Sequence, residues 1–149
     1  MEYKTYRFDQ LNTSLLYAIL ALREKVFIVE QNAIYDDIDG LDKQALHICL
    51  MDGDTLAGYT RLIPPAVKFE EASIGRIVLA PEYRGGGRGR ELVRRSMEEM
   101  LKHFGPVPIR IEAQVHLRGF YESLGFGVVS EAYDWGGIDH VKMVTVLAA

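Results

Sequence analysis

A mixed α/β domain is the fold class this sequence predicts, and three observations carry it. The chain has 149 residues, 48% of them hydrophobic and 26% charged, the size and composition of one compact domain with a core of its own. Alternating apolar and polar runs of strand type interleave with segments of helical period. No internal repeat, low-complexity segment or linker divides the chain, so the order of elements reads β-α-β-β-β-α-β-α-β-β.

Each element has a local reason. Tyr3 to Phe8 alternates aromatic and polar residues and reads as a strand. Asn12, Thr13 or Ser14 then supplies a side-chain oxygen to cap a helix whose apolar stretch opens at Leu15 and runs to about Val29. Tyr35 to Asp42 is a loop with four carboxylates, Asp36, Asp37, Asp39 and Asp42. Ala45 to Met51 and Thr55 to Ile63 are strand-like runs joined by the turn Asp52-Gly53-Asp54, and Pro64-Pro65 stops the second. Ser73 to Ala80 is a further strand, after which Val93, Met97, Met100, Leu101 and Phe104 mark one face of a helix. Val107 to Val115 alternates Val107, Ile109, Ile111, Ala113 and Val115 with polar residues, a strand with one polar face. A short helix from about Leu117 to Leu124 ends at Gly125, and Phe126 to Tyr133 and Val141 to Leu147 are the last two strand-like runs.

Composition narrows the function classes. Seventeen Lys and Arg against 21 Asp and Glu give a net charge of −4, so no overall basic field exists to hold nucleic acid or an anionic membrane surface. Cys49 is the single cysteine, which excludes an intramolecular disulfide and a cysteine-only zinc cage. The longest wholly apolar run, Leu15 to Leu22, is far short of the roughly 20 residues that span a bilayer. The N-terminus shows neither a secretory nor a transit pattern, so a soluble, cytoplasmic protein is expected.

The chemistry concentrates between the strand ending at Ala80 and the helix opening near Arg88, where Gly85, Gly86, Gly87 and Gly89 fall within five positions. Such a turn lets successive backbone N–H groups converge at a helix N-terminus, which binds phosphate. No Gly-Lys-Ser or Gly-Lys-Thr comes after it, and the Gly-x-Gly-x-x-Gly spacing of dinucleotide folds is absent. The spacing Arg84-x-x-Gly87-x-Gly89, with Phe120-Tyr121-Glu122-Ser123-Leu124-Gly125-Phe126 further on, resembles the acyl-CoA loop and the Phe-Tyr-x-x-x-Gly-Phe segment of the GNAT N-acetyltransferase superfamily. Three more segments resemble the small ElaA-like GNAT proteins: Leu22 to Gln31, Tyr35 to Asp42, and Gly137-Ile138-Asp139-His140.

That resemblance implies a central, mostly antiparallel sheet flanked by helices that splays apart after Ser73 to Ala80, opening a cleft against Val107 to Val115. Main-chain groups of Ile77, Val78 and Leu79 would pair with the pantetheine of acetyl-CoA as an added strand would. Arg84 and the N–H groups of Gly85, Gly86, Gly87, Arg88, Gly89 and Arg90 would take the pyrophosphate. No asparagine occurs on Val107 to Val115, where many relatives carry one on pantetheine, and Gln114 is the nearest substitute.

Acyl transfer to an amine needs a neutral amine, a polarised carbonyl and a proton for the leaving thiolate. Tyr121 matches the family's proton donor, its bland alternative being a packing aromatic. Glu112, on the polar face of its strand, is the candidate base, against a solvated strand glutamate. His47 and His140, which the resemblance places near the acceptor, are proton relays or else bonded structural histidines. Asp37 and Asp39 read as a device to attract a cationic amine, against a solvated loop remote from the cleft. No metal site is expected: the histidines lack a second ligand at helical spacing, and Leu41 breaks the calcium-loop pattern. The expected partner is a small-molecule or peptide amine, and the resemblance allows a homodimer through an exposed final strand. The leading reading is thus an acetyl-CoA-dependent N-acyltransferase. Its rivals are a non-catalytic acyl-CoA-binding or protein-interaction module of the same fold and, last, a nucleotide-binding protein.

Overall fold

A computed structural model describes residues 1–146. In chain order these form β1 (Glu2–Arg7), α1 (Thr13–Arg23), β2 (Leu46–Asp52), β3 (Thr55–Ile63), β4 (Ala72–Leu79), α2 (Arg88–Phe104), β5 (Pro108–Gln114), α3 (Arg118–Glu122), β6 (Gly127–Val128), β7 (Tyr133–Trp135) and β8 (Ile138–Val146). The strands make one sheet of order β1-β2-β3-β4-β5-β8-β6, with β7 also on β8. Every pairing is antiparallel except β4 with β5, which is parallel and joined only at Ala72↔Ile109 and Ser73↔Arg110. The sheet is therefore two antiparallel halves hinged at one end.

The sheet buries both faces. Ile48, Leu62, Ile74, Ile109 and Met143 pack with Val93 and Met100 of α2, whereas Cys49, Tyr59 and Val78 pack with Ile19 and Leu22 of α1. Burial on two sides explains why β2 and β3 read as nearly continuous apolar runs. In β4, Ile74 and Val78 are four residues apart yet lie on opposite faces, which a regular strand forbids. The cause is a β-bulge: Tyr59 pairs with Val78 but Arg61 with Gly75, so Arg76 and Ile77 together stand opposite Thr60.

Four features differ from the sequence reading. Asn12 caps α1, its Oδ1 accepting from Leu15 N at 2.8 Å, but the helix does not run unchanged to Val29. It becomes a seven-residue π-helical segment, Glu24–Glu30, directly after Arg23, whose side chain is drawn inward by Asp37 and Asp42. Strand β5 ends at Gln114, and a 3₁₀ turn, Val115–Leu117, leads into α3. The strand expected over Phe126 to Tyr133 is broken into β6 and β7. At the break Lys142 N–H donates to the Ser130 hydroxyl at 2.9 Å instead of to a backbone carbonyl. Lastly, β8 is not the exposed final strand invoked for dimer pairing, because β5 flanks it on one edge and β6 and β7 on the other; Leu147 lies outside the described residues. Among the described residues no helix is long and apolar enough to cross a membrane.

Candidate active site

Beyond Ser73 the edge of β4 facing β5 has no strand partner, and the two strands part around a cleft of about 620 Å³. Ile77, Val78 and Leu79 line it from one side and Ile111 to Gln114 from the other. The bulge lies here. Arg76 takes a left-handed backbone, φ +51°, unusual for a residue with a Cβ. Arg76 and Ile77 have no partner on the edge facing β5, so main-chain groups on that side are available to a ligand. Gln114 Nε2 reaches across to Gln31 Oε1 at 3.3 Å, tying β5 to the π-helical segment.

At the wide end of the cleft the chain leaves β4 and enters α2 through Gly85, Gly86 and Gly87, three successive residues at φ +91°, +64° and +76°. Gly87 is the N-cap of the 17-residue α2 and offers no side chain to the first helical N–H groups, which point outward from the positive end of the helix dipole. The arginines beside this turn are mostly occupied. Arg84 makes a two-pronged bond to Glu30 at 2.6 and 2.8 Å, and Arg90 bonds Ser123 Oγ at 2.7 Å, fastening α2 to α3. Arg88 has only a 3.4 Å contact to the Tyr83 carbonyl. Anion binding therefore falls to the backbone of the turn, with Arg88 the freest cation beside it.

Tyr121 lines the cleft from α3. Burial alone pushes its hydroxyl up to about 12, and no protein group among the described residues hydrogen-bonds it. It is packed edge-on between Phe120 and Phe126, which fixes the ring and leaves the hydroxyl to the cleft. Glu112 also lines the cleft, but both its oxygens are taken: Lys68 Nζ lies 3.0 Å from Oε1, and Tyr133 donates to Oε2 at 2.7 Å. Burial opposes its charge, yet the Tyr133 bond and the Lys68 and Lys142 charges outweigh that and hold it below the usual glutamate range. So stabilised an anion is a weak base.

The two histidines separate. His140 lines the cleft, stacked on Tyr133 with centroids 6.0 Å apart. Its Nδ1 is 2.7 Å from the Ile138 carbonyl and must donate to it, which leaves Nε2 with a lone pair. His47 is corrected: it is wholly buried away from the cleft and both ring nitrogens are used. Nε2 donates to the Asp42 carbonyl at 2.9 Å and Nδ1 accepts from Tyr59 Oη at 2.6 Å, while burial lowers its pKa. It is a neutral core residue.

The acidic loop is likewise corrected. Asp36 is exposed, but Asp37, Asp39 and Asp42 are not left to an incoming amine; they bond to arginines. Arg23, wholly buried, bonds Asp37 Oδ2 at 2.8 Å and Asp42 Oδ1 at 2.7 Å. Arg61 bonds both oxygens of Asp39, at 2.8 and 2.7 Å, and Asp42 at 3.1 Å. Arg76 completes the set, its Nη2 donating to the Asp37 carbonyl at 3.1 Å and to Asp39 Oδ2 at 3.2 Å; its Nε lies 2.8 Å from Asp37 Oδ1 without hydrogen-bond alignment. Three aspartates and three arginines cancel. Burial resists the charge on Asp39, but the Arg61 bonds and the Arg61 and Arg76 charges prevail and hold it far below the usual aspartate range.

The structure adds residues that the sequence reading passed over: Lys68, Tyr35 and Trp135 at the cleft and Tyr133 behind Glu112. Lys68 stands in an irregular loop with no pattern around it, and Tyr133 and Trp135 read only as strand and turn.

Comparison with known proteins agrees with this geometry. Residues 12–147 match the family model of the acetyltransferase (GNAT) domain. Protein ElaA of Escherichia coli K12 is 37% identical over 145 residues, covering 96% of this chain and 95% of ElaA; the E. coli ElaA crystal structure superposes with a TM-score of 0.91 at 36% identity, over 97% and 99% of the two chains. An acyl-CoA N-acyltransferase from Pseudomonas aeruginosa superposes at 0.92 with 31% identity, again over 97% and 99%. An aminoglycoside 6'-N-acetyltransferase solved with coenzyme A shares the fold alone, at 0.74 and 15% identity over 98% and 97%. The chain belongs to the GNAT acetyltransferase family and is ElaA-like.

Proposed function

We propose that this protein is an acyl-CoA-dependent N-acyltransferase, with acetyl-CoA as donor, that passes the acyl group directly to a primary amine. One observation carries the reading: the edge of β4 facing β5 is unpaired beyond Ser73, and past the 3₁₀ turn Pro81–Tyr83 the chain enters α2 at an N-terminus that no side chain caps, so an open strand edge and an uncapped helix end form one line along the cleft. An extended amide chain ending in a pyrophosphate fits that line, the amides as an added strand and the phosphates on N–H groups. The acyl-CoA supplies the activated acyl group as a thioester. The bulge at Arg76 and Ile77 holds free main-chain groups beside the carbonyl to be polarised. His140 Nε2 removes a proton from the incoming amine, whose nitrogen bonds to the acyl carbon as the carbon–sulfur bond breaks. Tyr121 gives its proton to the sulfur; burial keeps that proton in place at neutral pH, and the departing thiolate in the same dry pocket has raised proton affinity.

Thermal unfolding with saturating acetyl-CoA, CoA or ATP tests the binding half. Both CoA species should raise the midpoint by several degrees, because ligand at ~100 Kd adds about 2.7 kcal/mol. ATP should not, and the rise should vanish in Gly87→Val and Gly89→Val. A midpoint unmoved by acetyl-CoA would overturn the reading. Thiol release with an amine panel tests the chemistry. Tyr121→Phe should lower kcat by about 10²- to 10⁴-fold with unfolding free energy unchanged, since the lost hydroxyl bonded nothing in the protein; an undiminished kcat removes Tyr121 from its role.

A further inference from the structure

Resting on the acyltransferase reading, we infer that the acceptor amine also carries a carboxylate, as amino acids do, and that Lys68 and Arg76 hold it. The first support is a count of unspent hydrogen-bonding capacity. The carboxylates that line the cleft are Glu30 and Glu112, and every oxygen of both already holds a donor, Glu30 the two prongs of Arg84 and Glu112 Lys68 and Tyr133. Asp37 and Asp39 stand behind Arg76, spent on Arg23 and Arg61. Of the lining cations Arg84 is spent on Glu30, but Lys68 and Arg76 keep unused donors. Lys68 Nζ has Glu112 as its ion-pair partner, leaving two N–H groups, and Arg76 spends Nη2 on the acidic loop while Nη1 bonds nothing among the described residues. A second ammonium on the acceptor would meet two cations and no free carboxylate; a carboxylate would meet two charged donors.

The second support is rigidity. The Arg76 guanidinium lies 5.5 Å from the centroid of Tyr35 and the Lys68 ammonium 5.8 Å from that of Trp135, and those two rings meet edge to face at 6.3 Å. An aromatic pair bracketed by two cations fixes both heads, so little freedom is lost when they take a ligand. The third is position. Arg76 precedes Leu79 by three residues, about 10 Å of strand, and the glycine turn lies beyond Leu79. Lys68 belongs to the β3–β4 loop, at the opposite end of β4 from that turn. These cations are therefore out of reach of the pyrophosphate, and they share the cleft with His140, the group that receives the amine proton.

The test measures thiol release from acetyl-CoA with the standard amino acids, the matching amino-acid amides, and linear diamines. The expected result is at least one amino acid with kcat/KM about tenfold or more above its own amide, the difference lying in KM, and diamines below both. Lys68→Met should bring that acid-to-amide ratio close to one, and Lys68→Arg should restore it. Amides or diamines that equal or exceed the acids would overturn the inference, as would a ratio that survives in a folded Lys68→Met protein, or binding of acetyl-CoA with no turnover of any amino acid. A thermal midpoint indifferent to acetyl-CoA would instead bring down the acyltransferase reading beneath it.

Discussion

The acidic loop from Asp36 to Asp42 and the glycine turn from Gly85 to Gly89 are each dense in one kind of residue, and each looks in the sequence like a place made for a ligand of opposite charge. The structure treats them in opposite ways. Every bond the loop's Asp37, Asp39 and Asp42 side chains make to Arg23, Arg61 and Arg76 is internal, whereas the turn presents backbone N–H groups with no cap. Charge that the fold has already matched holds the fold together; polar groups that the fold leaves unmatched, at a rim where water reaches them, are what a ligand can use.

If that contrast is right, stability and binding separate between the two regions. Arg23→Met takes from Asp37 and Asp42 their Arg23 bonds, leaving only the cations Arg76 and Arg61 beside them, and should cost about 3–5 kcal/mol, read as a lower urea midpoint and a thermal midpoint down by roughly 10 °C. The rise produced by acetyl-CoA should persist in the surviving folded protein. Gly87→Val should behave inversely, costing only about 1–2 kcal/mol for a side chain at positive φ while abolishing the rise. Equal stability losses in the two variants would break the comparison.

A smaller effect sharpens it by pH. His47 is neutral in the folded chain and burial lowers its pKa from 6.5, so below about pH 6.5 the unfolded chain binds more protons and stability falls. The slope approaches ~1.4 kcal/mol per pH unit until the lowered folded value is reached. Asp39 is depressed as well, and its contribution, complete above about pH 4, is lost only below that, as pH falls through its folded value. The His47 loss opens near pH 6.5, well above the pH at which the Asp39 loss begins. Urea unfolding of His47→Gln should therefore lose the slope between pH 6.5 and 5 and keep the acid loss at lower pH; a wild-type slope in that variant would mean His47 is not the buried neutral group described.

Why one region was legible and the other was not is a matter of distance along the chain. The glycine turn, the strand before it and the helix after it lie within one short stretch, and its neighbour β3 falls at Thr55–Ile63, the strand-like run read between Asp54 and Pro64. The partners of the acidic loop are 14 to 39 residues away, and nothing near Asp37 signals Arg23 or Arg76. His47 and His140 show the same limit. Both sit among apolar neighbours in strands, and only the tertiary arrangement sends one into the core and the other to the cleft. The bulge in β4 escaped for a different reason: one extra residue in a strand buried on both sides flips the face of every later side chain while leaving the composition of the strand as it was.

Arg76 is where the two regions meet, since its side chain belongs to the aspartate network and its backbone to the cleft, and the smallest effect tests that junction. Truncation removes the tether to Asp37 and Asp39 in Arg76→Ala and Arg76→Gly alike. Alanine then bears the ~1–2 kcal/mol of a left-handed backbone, against which glycine's freer unfolded chain sets about 0.4–1 kcal/mol. Glycine should come out the more stable by roughly 0.5–1 kcal/mol. If the bulge serves the thioester through its main chain, Arg76→Gly should also keep more of kcat than Arg76→Ala, because glycine tolerates the φ of +51° that presents those groups. Loss of the guanidinium, by contrast, should cost both variants the same preference for acidic acceptors. An alanine variant as stable and as active as the glycine one would show that the left-handed turn at this residue is not what holds the cleft in shape.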